Sequence, residues 1–234
     1  MTEPVAELRS SNVQRGPMMP KFLYWVIRWG LHAIISVVLP RRMHVSGKEN
    51  VPREGGLLVI SNHIATADPP LLGALFPRPL HFMAKVEWFK NPVIGYLARQ
   101  FLCFPVVRHT ADRSALRYTL ALLQQGQAVA IYPEGTRSED LQIHPPEAGA
   151  GFLARQAKVP ILPVATWGGE GVLPKGSKFP RPAHAHIVYG KPFQLPEGKL
   201  SNQEAADYMM SKVAELLPDD YRGHYATWKP ARAG

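Results

Sequence analysis

Gly56-Leu57-Leu58-Val59-Ile60-Ser61-Asn62-His63-Ile64-Ala65-Thr66-Ala67-Asp68-Pro69-Pro70 is the stretch on which the reading of this chain turns. Its first five residues form an apolar run of the length of a buried strand. Residues 69–76 read as a short helix opened by proline. A histidine therefore leaves the end of a strand, and an aspartate of good N-cap type stands where a helix begins, with Pro69 holding it out of the helical region. On one continuous helix, five residues would turn the two side chains about 140° apart. A loop that wraps into a helix N-terminus brings them together instead. A carboxylate on one imidazole nitrogen fixes the tautomer and leaves the other nitrogen to take a proton. Taken alone, the same residues also read as a loop histidine and a simple helix cap.

The flanking sequence repeats the strand-then-helix pattern. Strands are predicted over residues 43–47, 80–84 (followed by Lys85), 102–107 (ending at Arg108), 128–132, 159–166 and 184–189. Between them the pattern predicts a helix over 87–100 broken at Asn91-Pro92. An amphipathic helix over 111–125 should turn Leu116, Leu120 and Leu123 inward. Further helices are predicted over 148–158 and from Ser201, as cap, to residue 217. This alternation predicts an α/β layered domain with a largely parallel sheet flanked by helices. Ligands in such sheets bind beyond the carboxyl ends of strands, where His63, Lys85, Arg108 and the 133–146 loop all fall.

Lys and Arg number 27 against 18 Asp and Glu, a net charge of +9 over 234 residues. That excess suits an anionic partner, either a membrane surface with anionic lipid or a phosphate-bearing substrate. No zinc-finger, RRM or helix-turn-helix pattern accompanies it, so no nucleic acid is expected. Cys103, the single cysteine, excludes an intrachain disulfide and a Cys-based metal site, and reads as core. Residues 1–16 lack the apolar centre of a signal peptide, and 1–19 are expected to form a flexible tail. Between Pro20 and Pro40 lies the longest apolar segment, interrupted by Arg28 and His32. Roughly 18 helical residues reach ~27 Å, short of a hydrocarbon core, and the two interruptions are costly for a span. Tyr24, Trp25 and Trp29 cluster as interfacial residues do. Residues 20–42 are therefore expected to form a membrane-associating helical segment lying in one leaflet, basic face outward, with a true span as the alternative. A catalytic domain over 43–217 and an irregular C-terminal tail over 218–234 complete the expected organisation.

Two further stretches carry chemistry. In Tyr132-Pro133-Glu134-Gly135-Thr136-Arg137-Ser138 a strand ends in a glycine-bearing turn that presents an arginine and two hydroxyls. Guanidinium, hydroxyl and backbone N–H groups together cradle phosphate, although an ordinary charged surface turn has the same composition. Phe104-Pro105-Val106-Val107-Arg108 sets a second arginine after a strand, which alone is also a surface ion pair.

Asn62-His63, four residues, then Asp68 resembles the first motif of the glycerolipid acyltransferases, of the bacterial 1-acylglycerol-3-phosphate acyltransferase kind. Residues 104–108 resemble that family's second block, 134–137 its third, and Val159-Pro160-Ile161-Leu162-Pro163-Val164 its fourth, all in order. The resemblance implies transfer of a fatty acyl group from a thioester, acyl-CoA or acyl carrier protein, to the free hydroxyl of lysophosphatidate. It implies His63 as general base oriented by Asp68. Arg108, Glu134, Gly135, Thr136 and Arg137 would bind substrate, with Lys85 as a further cation and the Gly135 turn as a candidate oxyanion site. No cofactor and no metal are implied, and the expected location is the cytoplasmic face of the cell membrane. Two positions depart from the pattern: Cys103 stands where relatives often carry glycine, and Glu147 where they often carry lysine. The second bears on the head group, so glycerol 3-phosphate and other lysolipids remain alternative acceptors. A serine-type lipid hydrolase built on Ser61 is the rival chemistry, and it lacks a Gly-x-Ser-x-Gly elbow.

Overall fold

The strand that ends at the histidine motif, β2 (Leu57–Ser61), is buried along its whole length. In a computed structural model that describes residues 22–107, 112–174, 176–177 and 179–228, it lies at the centre of one seven-stranded sheet. The other strands are β1 (Met43–Ser46), β3 (Leu80–Lys85), β4 (Cys103–Val106), β5 (Ala128–Ile131), β6 (Ile161–Trp167) and β7 (Ala185–Tyr189), in the spatial order β1-β7-β6-β2-β5-β3-β4. From β6 to β4 all neighbours are parallel, with Leu57 opposite Ala128 and Leu58 opposite Ile161. Only β7 reverses, pairing antiparallel with β6 and carrying β1 with it.

Side chains alternate across a strand, so β2 feeds two cores. Leu57 and Val59 join the one beneath α1 (Phe22–Val38) and α2 (Asp68–Leu75). Leu58 and Ile60 join the other, beneath α4 (Arg113–Gln124), α5 (Ala148–Ala157) and α7 (Asn202–Ala214). The remaining helices are α3 (Pro92–Gln100), capped by Asn91 after the 3-10 turn Val86–Lys90, and the single turn α6 (Gly169–Val172). Ser201 and Glu204 form a reciprocal capping box at the start of α7. Cys103 is buried and free, and burial pushes its thiol up to about 12.

Two expectations are corrected. Helix α4 is rotated: Ala115, Tyr118, Thr119, Leu122 and Leu123 are buried, while Leu116 and Leu120 are only partly covered. The cause is Asp112, whose carboxylate accepts from Ala115 N and also from Val107 N just after β4. That double anchor sets the phase of the helix, which apolar periodicity alone leaves free. In α1, Arg28 points inward, donating from Nη2 to Phe76 O (2.6 Å) and from Nε to Ala74 O (3.2 Å). The last carbonyls of a helix lack intrahelical partners, and this guanidinium supplies donors at the end of α2. The outward face of α1 is therefore apolar rather than basic, exposing Phe22, Val26, Trp29 and Val37. Among the described residues no helix is long and apolar enough to cross a membrane. The irregular segment after Leu217 is packed against the domain as far as residue 228. His224 N donates to Ile143 O, Ile143 N to Tyr221 O, and the Tyr225 hydroxyl to Asp207. Residues 1–19 lie outside the described residues.

Helices α5 and α7 touch at Gly151, where an added Cβ would stand 1.8 Å from Asn202 O and 2.8 Å from Ala206 N. Two residues earlier, a Cβ on Gly149 would meet nothing within 4 Å. Gly151→Ala should cost about 1–3 kcal/mol through overpacking, several degrees of Tm for a chain of this size, while Gly149→Ala should leave Tm unchanged or slightly raised. Thermal unfolding of the two variants checks this pair.

Candidate active site

The loop after β2 closes on one carboxylate oxygen. Asp68 Oδ2 accepts from His63 Nδ1 (3.0 Å), Ile64 N (2.9 Å) and Ala65 N (2.8 Å). Asp68 is 1% and His63 5% exposed. A buried carboxylate has to be hydrogen-bonded, and here the loop itself provides the donors. The aspartate was expected to cap the helix that follows, but it is the first residue of α2. Pro69 and Pro70 have no N–H to offer, and Leu71 N donates to Ala67 O. With nothing to cap ahead of it, the carboxylate turns back onto the loop. With Nδ1 donating, the lone pair of His63 is on Nε2.

Close approach from β6 completes the pocket around Asp68. A Cβ on Gly169 would lie 3.0 Å from Asp68 Oδ1 and 3.2 Å from the Ala65 methyl, so only glycine leaves the carboxylate its place. Asn62 continues the β2–β6 ladder by side chain, donating to Thr166 O (2.8 Å) and accepting from Thr166 N (2.9 Å). Tyr132, at the end of β5, stacks on the His63 ring with centroids 4.2 Å apart. Burial, followed by the Asp68 charge, raises its phenol well above the ordinary tyrosine value. Tyr132 and Gly169 were not singled out from the sequence. The available signals were an aromatic at a strand end and the Gly168-Gly169 pair immediately after a strand.

The 133–146 loop holds the backbone of His63 at both ends. His63 N donates to Glu134 Oε1 (3.0 Å), and Ser138 N donates to His63 O (2.8 Å). The second oxygen of Glu134 accepts from His144 N (3.0 Å). Glu134 is thus a buried brace between the motif loop and its own loop, and both its oxygens are occupied by backbone amides. Arg137 Nη1 donates to Thr66 Oγ1, which places its guanidinium at the mouth of the His63 loop. Thr136 and Arg137 border a cavity of about 220 Å³ with Ile64, Ala65 and Thr66. Gly135 has φ +70 and its own N–H donates to Tyr132 O, closing the turn. That one amide of the turn is therefore committed to Tyr132 O. Lys85 ends β3, on the same sheet edge but two strands from β2, roughly 10 Å away. Among the described residues it is joined to none of these groups. Arg108 lies outside the described residues.

A mainly apolar cleft of about 930 Å³ opens between α4 and α5, lined by Met83, Val106, Leu116, Leu120 and Phe152 together with the charged Asp112, Arg113, Arg117 and Glu147. A smaller cavity lined by Tyr132, Pro133 and Gly135 adjoins it, sharing Met83, Val106 and Leu116. The leucines that α4 does not bury are the floor of the larger cleft. A protonatable imidazole held in one tautomer, a cation at the same loop mouth and an adjoining apolar cleft together suit transfer of an apolar group to an anionic acceptor.

The sequence profile of a family described as Acyltransferase matches residues 42–167, from just before β1 to the last residue of β6. The chain belongs to the acyltransferase family. Its matched span includes His63, Asp68 and the whole 133–146 loop. This acyltransferase is 35% identical over 162 residues to the 1-acyl-sn-glycerol-3-phosphate acyltransferase of Bacillus subtilis (strain 168), covering 68% of this chain and 78% of that one. It is 30% identical over 195 residues to a 1-acyl-sn-glycerol-3-phosphate acyltransferase of Chlamydomonas reinhardtii, where it spans 57% of the relative's length. The crystal structure of the 1-acyl-sn-glycerophosphate (LPA) acyltransferase PlsC from Thermotoga maritima superposes with a TM-score of 0.68 at 26% identity, over 84% of this chain and 79% of that one.

Burial pushes the Glu134 carboxyl up to about 7, against the lowering effect of the His144 and His63 amides. Between its ordinary value and about 7, the folded state holds this proton more tightly than the unfolded chain. The stability this contributes is fully present below the ordinary carboxyl range and is lost as pH rises through about 7. Glu134→Gln should remove that fall, so the difference in Tm between wild type and variant should change across this window and be flat above it. Parallel slopes for the two proteins would show that Glu134 does not titrate there.

Proposed function

We propose that this acyltransferase moves a fatty acyl group from an acyl thioester, acyl-CoA or acyl carrier protein, to the free hydroxyl of lysophosphatidate, giving phosphatidate. The observation that carries this reading is the His63 Nδ1–Asp68 Oδ2 bond of 3.0 Å, which keeps Nε2 as the proton acceptor. The activities for which the Bacillus and Thermotoga relatives are named supply the substrate class.

A thioester is already activated, so the chain need supply no covalent nucleophile. His63 Nε2 takes the proton of the acceptor hydroxyl as its oxygen attacks the thioester carbonyl carbon. The tetrahedral intermediate collapses, the C–S bond breaks, and the thiolate leaves with the proton returned from Nε2. Arg137, with Arg108 from its place in the sequence, holds the acceptor phosphate so that the hydroxyl faces His63. The cleft between α4 and α5 takes an acyl chain. Ser61 Oγ donates to Asn62 O (3.1 Å) and not to His63, which disfavours the serine hydrolase.

The enzyme binds one leaflet of the membrane from the cytoplasmic side, where soluble acyl donors reach it. Supporting this are the outward apolar face of α1 and the exposed Trp88, Val93, Ile94 and Tyr96 on and before α3. Tyr24 of α1 stacks on Phe101 at the end of α3, so the two surfaces are neighbours.

His63→Ala should lower kcat by ~10²-fold or more with little change in acceptor KM, because it removes the base and not the cradle. Arg137→Ala should instead lower kcat/KM by roughly ten- to a hundred-fold for lysophosphatidate and far less for a monoacylglycerol without phosphate. Steady-state kinetics with both acceptors and mass-spectrometric product identification test this. Near-wild-type turnover in His63→Ala contradicts the mechanism, and equal losses on both acceptors contradict the role of Arg137.

A further inference from the structure

A second polar cavity lies at the opposite end of α2 from Asp68. Helix α2 has eight residues, about 12 Å of axis, so this cavity is separate from the acyl-transfer site. It measures about 510 Å³ and opens between α1, the β1–β2 connection and the last turn of α2. Arg28 and His32 of α1 line it with Lys48 and Arg53 of the connection, against one acid, Glu49. The volume exceeds that of a phosphate alone and admits a glycerol backbone beside it.

Arg28 is set in place before any ligand arrives. Nε and Nη2 are fixed on Ala74 O and Phe76 O, and the guanidinium lies over the Trp25 ring at 5.4 Å. Among the described residues Nη1 has no partner, so the guanidinium offers a rigid donor edge of the kind that suits phosphate oxygens. The surroundings specify which phosphate. Helical arithmetic of about 100° per residue puts Phe22, Val26, Ala33 and Val37 at the middle of the outward face of α1. Arg28 and His32 lie on its flank. Trp29, 65% exposed, stands between that face and the cavity it helps line. Apolar face, aromatic rim and cations thus follow one another as acyl chains, interface and phosphate do in one leaflet.

We propose that this cavity binds the phosphate of an anionic glycerophospholipid of the bilayer, so that the enzyme engages anionic membranes through a built site rather than through net charge alone. This rests on the one-leaflet reading of α1 given above.

The test uses the full chain in flotation with phosphatidylcholine vesicles, with and without phosphatidylglycerol. Wild type should bind both and prefer the anionic ones. Lys48→Ala with Arg53→Ala, both exposed and outside the transfer site, should remove the preference by ten-fold or more, at about fivefold per charge. Binding to neutral vesicles and acyl transfer to detergent-dispersed acceptor should be kept. Lys191→Ala with Lys199→Ala removes the same charge elsewhere on the surface and should keep the preference. Equal loss in the two double variants, or a preference that inorganic phosphate abolishes, overturns the site in favour of general charge attraction or a free-anion site. Wild type binding both vesicles equally overturns the site alone. Wild type binding neither overturns the one-leaflet reading together with it.

Discussion

One carboxylate oxygen holds the site together. Three N–H groups converge on Asp68 Oδ2, two from the backbone and one from the imidazole. A charge that is 1% exposed is tolerated only when it is fully bonded, and here the bonding partners are the loop whose shape it dictates. The same interaction therefore folds the loop and selects the histidine tautomer. Removing it leaves two backbone amides and an imidazole without their acceptor, so structure and chemistry are not separable at this residue.

The rest of the sheet edge is arranged around that oxygen. Parallel pairing of β6, β2, β5, β3 and β4 brings their carboxyl ends to one side. Strand β6 delivers Gly169, whose missing Cβ leaves room for Asp68. Strand β5 delivers Tyr132 against the imidazole face and then a loop that fastens His63 through Glu134 and Ser138. The buried Glu134 makes this fastening sensitive to protonation, because desolvation of its charge opposes the two amides it accepts. At the far end of α2, Arg28 closes the helix with a guanidinium supplied by α1. One short helix thus joins the transfer site to the face of the protein that carries its exposed aromatics.

Much of this was legible in the sequence where local chemistry is strong. The apolar run before Ser61, the His63–Asp68 spacing and the strand–helix alternation led to the sheet, its largely parallel sense and the pairing of the two residues. What was not legible depended on absolute phase or on distant partners. Periodicity gives an amphipathic α4 but not its rotation, which Asp112 fixes by reaching back to Val107. It gives α1 a basic face, placed outward, but not that Arg28 turns in towards the orphan carbonyls of α2, 46 and 48 residues away. The resemblance implies Glu134 as a substrate contact, yet its oxygens face backbone amides of residues 63 and 144. The glycine-bearing turn is legible at Gly135, but not that the Gly135 amide itself is spent on Tyr132 O.

The central claim is that Asp68 holds His63 with its proton on Nδ1 and its lone pair on Nε2. Nitrogen-15 NMR of the histidine rings, with His63 assigned by substitution, reads this directly near neutral pH. The account predicts an Nδ1-bound proton and an unprotonated Nε2 in the wild-type protein, and a mixture of both tautomers in Asp68→Ala. An Nε2-bound proton on neutral His63 in the wild type, or an identical His63 signal in the two proteins, would contradict it.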